Sequence, residues 1–91
     1  MPIKIYDAEN QEEIAWLCDT YWELPTQFAE LESWLNNDGI NLHKGKYVAD
    51  IGFDIRKDAS GGGGIINSKM IKIMHDIGME IYLSEYPKVK K

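Results

Sequence analysis

Ten consecutive residues, Tyr47 to Arg56, alternate between two kinds of side chain, and this constrains the fold more than any other feature of the chain. Tyr47, Ala49, Ile51, Phe53 and Ile55 point one way; Val48, Asp50, Gly52, Asp54 and Arg56 point the other. A strand apolar on one face and polar on the other belongs to a sheet covered on one side only. Two more segments share the period of two. Ile3 and Ile5 alternate with Lys4 and Tyr6, predicting a short first strand. Met79, Ile81 and Leu83 alternate with Glu80, Tyr82 and Ser84, predicting a last one.

Between the strands the period lengthens. Asn10 and Glu13 have the spacing of a capping box, and Ile14, Leu17, Cys18 and Tyr21 follow at helical intervals. A helix is therefore expected over 11–22. Pro25 interrupts that pattern but can begin a new helix. Phe28, Leu31 and Leu35 mark the inner face of that second helix, over 25–37, with Trp34 bordering the stripe. Asn37-Asp38-Gly39 is a stop signal, Gly39 being able to take the left-handed conformation. Residues 40–42 could pair with the next strand through a turn at His43-Lys44-Gly45-Lys46. Beyond the middle strand comes the run Gly61 to Gly64, then a cap at Asn67 or Ser68. Met70, Ile73, Met74 and Ile77 form the stripe of a third helix, ended by Gly78. Residues 87–91 read as a frayed basic tail.

These elements predict an α+β domain over 1–91: a small mixed sheet of three or four strands, in the order β-α-α-β-α-β, with helices on one face. Two helices between the first and middle strands make those strands antiparallel. A single helix between the middle and last strands makes them parallel, through a right-handed crossover.

At 91 residues the chain has room for one domain. Its single cysteine, Cys18, excludes an internal disulfide. No apolar run approaches the roughly 18 residues of a membrane span, and no secretory signal is legible, so a cytoplasmic location is expected. Net charge is −5 and unevenly spread. Residues 1–38 carry nine acids against one base, Lys4; residues 39–91 carry nine bases against six acids. An acidic first half disfavours phosphate backbones, so neither nucleic acid nor membrane is an expected partner. It favours a basic protein, although the same acids also serve solubility.

Candidate chemistry is sparse. The glycine run before a helix could cradle an anion, with Gly62, Gly63 and Ser68 as the ligand-binding residues of an alternative reading as a small enzyme or phosphate binder. The phosphate-loop pattern is not met, since Gly64 is followed by Ile65-Ile66-Asn67-Ser68-Lys69. A flexible connector over the sheet edge is the favoured reading of the run. His43, His75 and Cys18 have no metal-ligand spacing, so no metal or cofactor is expected. His75 suits a surface position near a helix C-terminus. Cys18 reads as a small buried thiol on the inner face of the first helix. Glu12, Glu13, Asp19, Glu23, Glu30 and Glu32 read as solvated acids, mostly on outer helix faces.

The wet sheet face is the strongest candidate. It should gather Tyr6, Val48, Asp50, Asp54, Arg56, Glu80, Tyr82, Ser84 and Tyr86. Tyrosines bring contact area at low entropic cost, and neighbouring acids pair with Lys or Arg of a partner. Tyr6, Asp50, Asp54, Tyr82 and Tyr86 are the expected partner-binding residues, with Trp22 and Glu23 next. Trp16 and Trp22 fall off the helical stripe, so at least one should be exposed.

The segments Tyr47-Val48-Ala49-Asp50-Ile51-Gly52-Phe53, Met70-Ile71-Lys72-Ile73-Met74 and Ile81-Tyr82-Leu83-Ser84-Glu85-Tyr86, with the glycine run between them, resemble small bacterial domains of unknown function. Similar small acidic proteins occur among immunity proteins that neutralise polymorphic toxins. The resemblance covers residues 28–87 and none of its motifs is catalytic. It implies a strand, glycine loop, helix and strand, and it carries over no functional residue. The acidic first half, the tyrosine–acid sheet face and the lack of a catalytic cluster lead to the expectation of a non-enzymatic binding protein of a bacterial cytoplasm, of the immunity type that inhibits a basic toxin. A homodimeric structural protein is the other expectation.

Overall fold

The computed structural model describes residues 2–55, 58 and 60–86. The elements are β1 (Ile3–Asp7), β2 (Glu13–Leu17), α1 (Leu24–Asn37), a 3-10 turn (Gly39–Asn41), β3 (Tyr47–Asp54), α2 (Ser68–Ile77) and β4 (Met79–Tyr86). The strands form one sheet in the order β2-β1-β3-β4. β1 is antiparallel to both its neighbours, and β3 and β4 are parallel. The expected α+β architecture with a mixed sheet is present, but its second element differs in kind.

Residues 11–22 do not form a helix. The Asp7 carboxylate accepts the N–H of Glu9 at 2.8 Å, and the Asn10 side chain accepts that of Glu12 at 2.9 Å. Asp7 N–H also donates to the Glu12 carbonyl at 2.8 Å, which closes a hairpin. Asn10 therefore shapes a turn and caps nothing, as short polar side chains often do. The run Ile14-Ala15-Trp16-Leu17 then pairs with β1, with an irregularity at Ile5/Tyr6 that skips Ile14. Its length suits a strand, and the helical spacing of Ile14, Leu17, Cys18 and Tyr21 is a coincidence that runs past its end. Cys18 lies just past β2 in the left-handed region, φ 54°, not on a helix. Glu12 and Glu13 belong to the hairpin rather than to a helix face. A strand reverses the chain as a helix would, so β1 and β3 remain antiparallel.

The core explains which side of the sheet is covered. Ile3, Ile5, Tyr47, Ala49, Ile51 and Met79 pack with Phe28, Leu31 and Leu35 of α1 and with Met70, Ile73, Met74 and Ile77 of α2 in one cluster. Strand residues two apart share a face, so both helices lie on the same side. Each fully buried Ile or Leu of this cluster contributes roughly 1.5–3 kcal/mol. The shortest dimension of the molecule, 17 Å, accommodates a sheet and a single helical layer. Ile55, expected on the covered face, is exposed just beyond the end of β3.

The helix ends show what their flanking residues do. Asn67 caps α2, its side chain accepting the Met70 N–H at 2.9 Å. Gly78 ends α2 at φ 85°. Gly39 ends α1 differently: it is not left-handed but starts the 3-10 turn, and a Cβ there would lie 2.7 Å from the Trp34 ring. Residues 40–42 form no strand, because that turn occupies Gly39–Asn41. The following segment docks on the α2–β4 junction, with Gly45 N–H donating to Ile77 O at 2.9 Å and Tyr47 N–H to Gly78 O at 3.0 Å. Arg56 and the tail at 87–91 lie outside the described residues.

A Cβ on Gly78 would collide with the Gly45 carbonyl and would also sit on a left-handed backbone. Gly78→Ala should therefore cost more than about 2 kcal/mol, read as a lowered denaturant midpoint with an unchanged m-value.

Candidate functional site: the open sheet face

The face opposite the helices is built in rows by the strand register. Trp16, Lys4, Asp50 and Tyr82 form one row across all four strands. Glu13, Tyr6, Val48 and Glu80 form the next. Gly52 pairs with Ser84, and Asp54 with Tyr86. Tyr82 is 48% exposed, Tyr86 39% and Trp16 46%. Asp50 and Asp54 are half-buried between their neighbours. Val48, expected to be wet, is only 2% exposed. It lies between Tyr6 and Glu80 in its row, and it forms an apolar floor to the face.

Two clusters stand on this surface. In the first, Ser84 Oγ donates to Asp50 Oδ1 at 2.7 Å, and Lys4 Nζ lies 5.6 Å from the centroid of the Tyr6 ring. Burial, then the neighbouring Tyr82 and Asp50, hold the Tyr6 phenol above its usual pKa. In the second, Trp22 meets Tyr86 edge to face, with ring centroids 5.7 Å apart and an interplanar angle of 83°. Both rings rest on Gly52, where a Cβ would lie 2.9 Å from Tyr86 and 3.4 Å from Trp22.

Trp22 reaches the sheet without belonging to a strand. Its carbonyl accepts the Asp54 N–H at 3.0 Å, continuing the ladder where β1 has ended at Pro2, whose carbonyl takes the Gly52 N–H. Gln27 of α1 fixes this arrangement. It is fully buried, and its Nε2 donates to Tyr21 O at 2.8 Å and Gly52 O at 2.7 Å. One amide thus ties the segment carrying Trp22 to the strand beneath it.

The structure brings Tyr6, Asp50, Asp54, Tyr82, Tyr86 and Trp22 onto one face. Glu23 is exposed at the N-cap of α1, next to Trp22 but outside the sheet rows. Trp16 and Lys4 are members that periodicity assigned elsewhere or overlooked. Reading residues 14–17 as a strand would have found Trp16. A cleft of about 450 Å³, lined by Lys46, Val48, His75, Glu80 and Tyr82 among others, wraps around the end of the sheet beside the row of Val48 and Glu80.

The glycine loop of the alternative reading has an acidic neighbour, Glu32. Gly61, Gly62 and Gly63 all have positive φ, and Gly64 lies against the Phe28 ring. At the start of α2, Asn67 takes the Met70 N–H and donates its own Nδ2 to Glu32 at 2.9 Å. A phosphate approaching Gly63 and Ser68 would meet the Glu32 carboxylate, and Ser68 faces solvent. Cys18 is half-buried; burial, then Glu30, raise its thiol pKa, which opposes a nucleophilic role. Among the described residues no group of three or more His, Cys, Asp or Glu is placed to hold a metal ion. Among them, too, no helix is long and apolar enough to cross a membrane.

Comparison with known proteins finds no matching family model, curated protein or solved structure.

Gln27→Ala would leave the buried Gly52 carbonyl without its donor. It should cost about 2 kcal/mol and red-shift tryptophan fluorescence as Trp22 loosens. The raised Tyr6 pKa means that the folded state resists losing this proton. Stability should therefore decline as pH rises above about 10 and continue to fall through the folded-state value. Tyr6→Phe should remove that part of the decline.

Proposed function

We propose that this chain is a non-enzymatic protein-binding module that docks a basic partner on its open sheet face. The observation that carries the reading is the co-location of four aromatic residues, Tyr6, Trp22, Tyr82 and Tyr86, with Asp50 and Asp54 on the side the helices leave uncovered. Such a mixture is the composition of a protein interface: rings supply desolvated contact area, and carboxylates between them pair with Lys or Arg. The excess of acids in residues 1–38 adds long-range attraction for a cationic protein.

An immunity-type inhibitor of a basic toxin, acting in a bacterial cytoplasm, is the specific role we favour. It requires a small acidic surface that covers a cationic active site, and it requires no chemistry of its own. The low exposure of Val48 and Gly52 supports the same reading, because it leaves a firm floor under the aromatic rings.

Asp50→Lys with Asp54→Lys should leave the circular dichroism spectrum of the folded domain intact and lower its melting temperature only modestly, since Asp50 loses the Ser84 hydrogen bond and a lysine there faces Lys4. It should weaken capture of the basic partner from a native-cell lysate by at least about tenfold, with the loss greatest at low salt. Capture of the same partner at undiminished affinity would reject this face as the binding surface.

A further inference from the structure

The sheet has two edges, and they are built differently. β2 is five residues long and irregular in its pairing with β1, two devices that spoil an edge for further pairing. β4 is eight residues long, contains neither proline nor lysine, and pairs with β3 in unbroken register from Met79 to Tyr86. Among the described residues nothing pairs with its outer side. Leu83, on the helix-side row of β4, is 57% exposed, and Tyr82 on the open face is 48% exposed.

The backbone says which residues address that free edge. Tyr47 N–H donates to Gly78 O, so the even-numbered residues of β4 turn their amides towards β3. Alternation then turns the N–H and C=O of Met79, Ile81, Leu83 and Glu85 outward. A strand added antiparallel must form its hydrogen-bonded pairs with these four.

We propose that the occupant is β4 of a second copy, arranged about a two-fold axis at Tyr82. In that register Ile81 faces Leu83 of the other copy twice, and Met79 faces Glu85 twice, so all four outward residues are used. Glu80 falls opposite Ser84, and no like charges oppose each other. Sliding the axis to Leu83 sets Ile81 against Glu85; sliding it to Ile81 leaves Glu85 unpaired. A half-step register, which would set Glu80 against Glu85, breaks the hydrogen bonds. The edge thus pairs with itself with matched backbone polarity, with apolar partners at Ile81 and Leu83, and without opposing like charges. The two sheets join into one of eight strands, and the two open faces form a single surface with the Tyr82 rings adjacent at its centre. This inference concerns the edge and stands apart from the partner proposed for the face.

Sedimentation velocity across a hundredfold concentration range should show a reversible monomer–dimer equilibrium. Leu83→Pro removes an outward N–H and no bond to β3, so the fold should survive while dimerisation weakens by at least about tenfold. Leu83→Lys gives the same readout if the proline variant does not fold. Tyr82→Cys in a Cys18→Ser background reports the register. The two Cα atoms at the axis would be about 4.5 Å apart, within disulfide range, so oxidation should yield a covalent dimer, whereas Glu80→Cys in the same background should not. Asp50→Lys with Asp54→Lys should leave the dimer intact. A strict monomer at the highest concentration, or a dimer indifferent to both Leu83 variants, overturns the proposal.

Discussion

Everything in this molecule depends on the one-sided burial of the β1–β3 pair. Ile3, Ile5, Ala49 and Ile51 are sealed completely, and both helices are needed to seal them. That packing uses the whole helical layer, and a chain of this size has no third layer to spend on the opposite face. The uncovered face is therefore a consequence of where the core is, and its residues are free to be chosen for something other than stability. The side chains found there are tyrosines, tryptophans and carboxylates, with Lys4, Ser84, one buried valine and one glycine between them.

The face is nevertheless held in place from the core side. Gln27 is the only polar residue buried among the described core, and both of its donated hydrogen bonds end on backbone carbonyls that support Trp22 and Tyr86. Its Oε1 is buried without a partner among the described residues, so the two donated bonds must offset a desolvation cost, and the presence of such an amide under an aromatic pair marks a position that packing alone does not define. Asn67 does similar work between the helices, joining the start of α2 to Glu32 of α1. These two side chains connect segments distant in sequence, and each replaces a stretch of hydrophobic surface that so short a chain lacks.

Most of the fold was legible because period two and period 3.6 were cleanly separated in residues 47–54 and 68–86. The relative directions of the strands followed from counting reversals, and that count survived an error in the kind of one element. The error itself has a local cause. Asn10 can cap a helix or shape a turn, and Ile14, Leu17, Cys18 and Tyr21 satisfy a helical interval by chance; tertiary pairing with β1 decided between them. The face residues taken from strand alternation were found together. Trp22 is legible as a candidate from its place off the helical stripe, but its position on the sheet face is not, since its carbonyl extends the ladder beyond Pro2 from outside any strand. Val48 lies on the expected face but is sealed, because alternation reports direction, not how closely the neighbouring rows crowd a side chain.

Gly52 shows how a surface can be encoded by what is missing from it. The indole of Trp22 and the phenol of Tyr86 lie as low as they do because the strand beneath them offers only hydrogen. Anyone transplanting this patch to another scaffold by copying its visible side chains would reproduce the chemistry at the wrong height. The bare position has to travel with them.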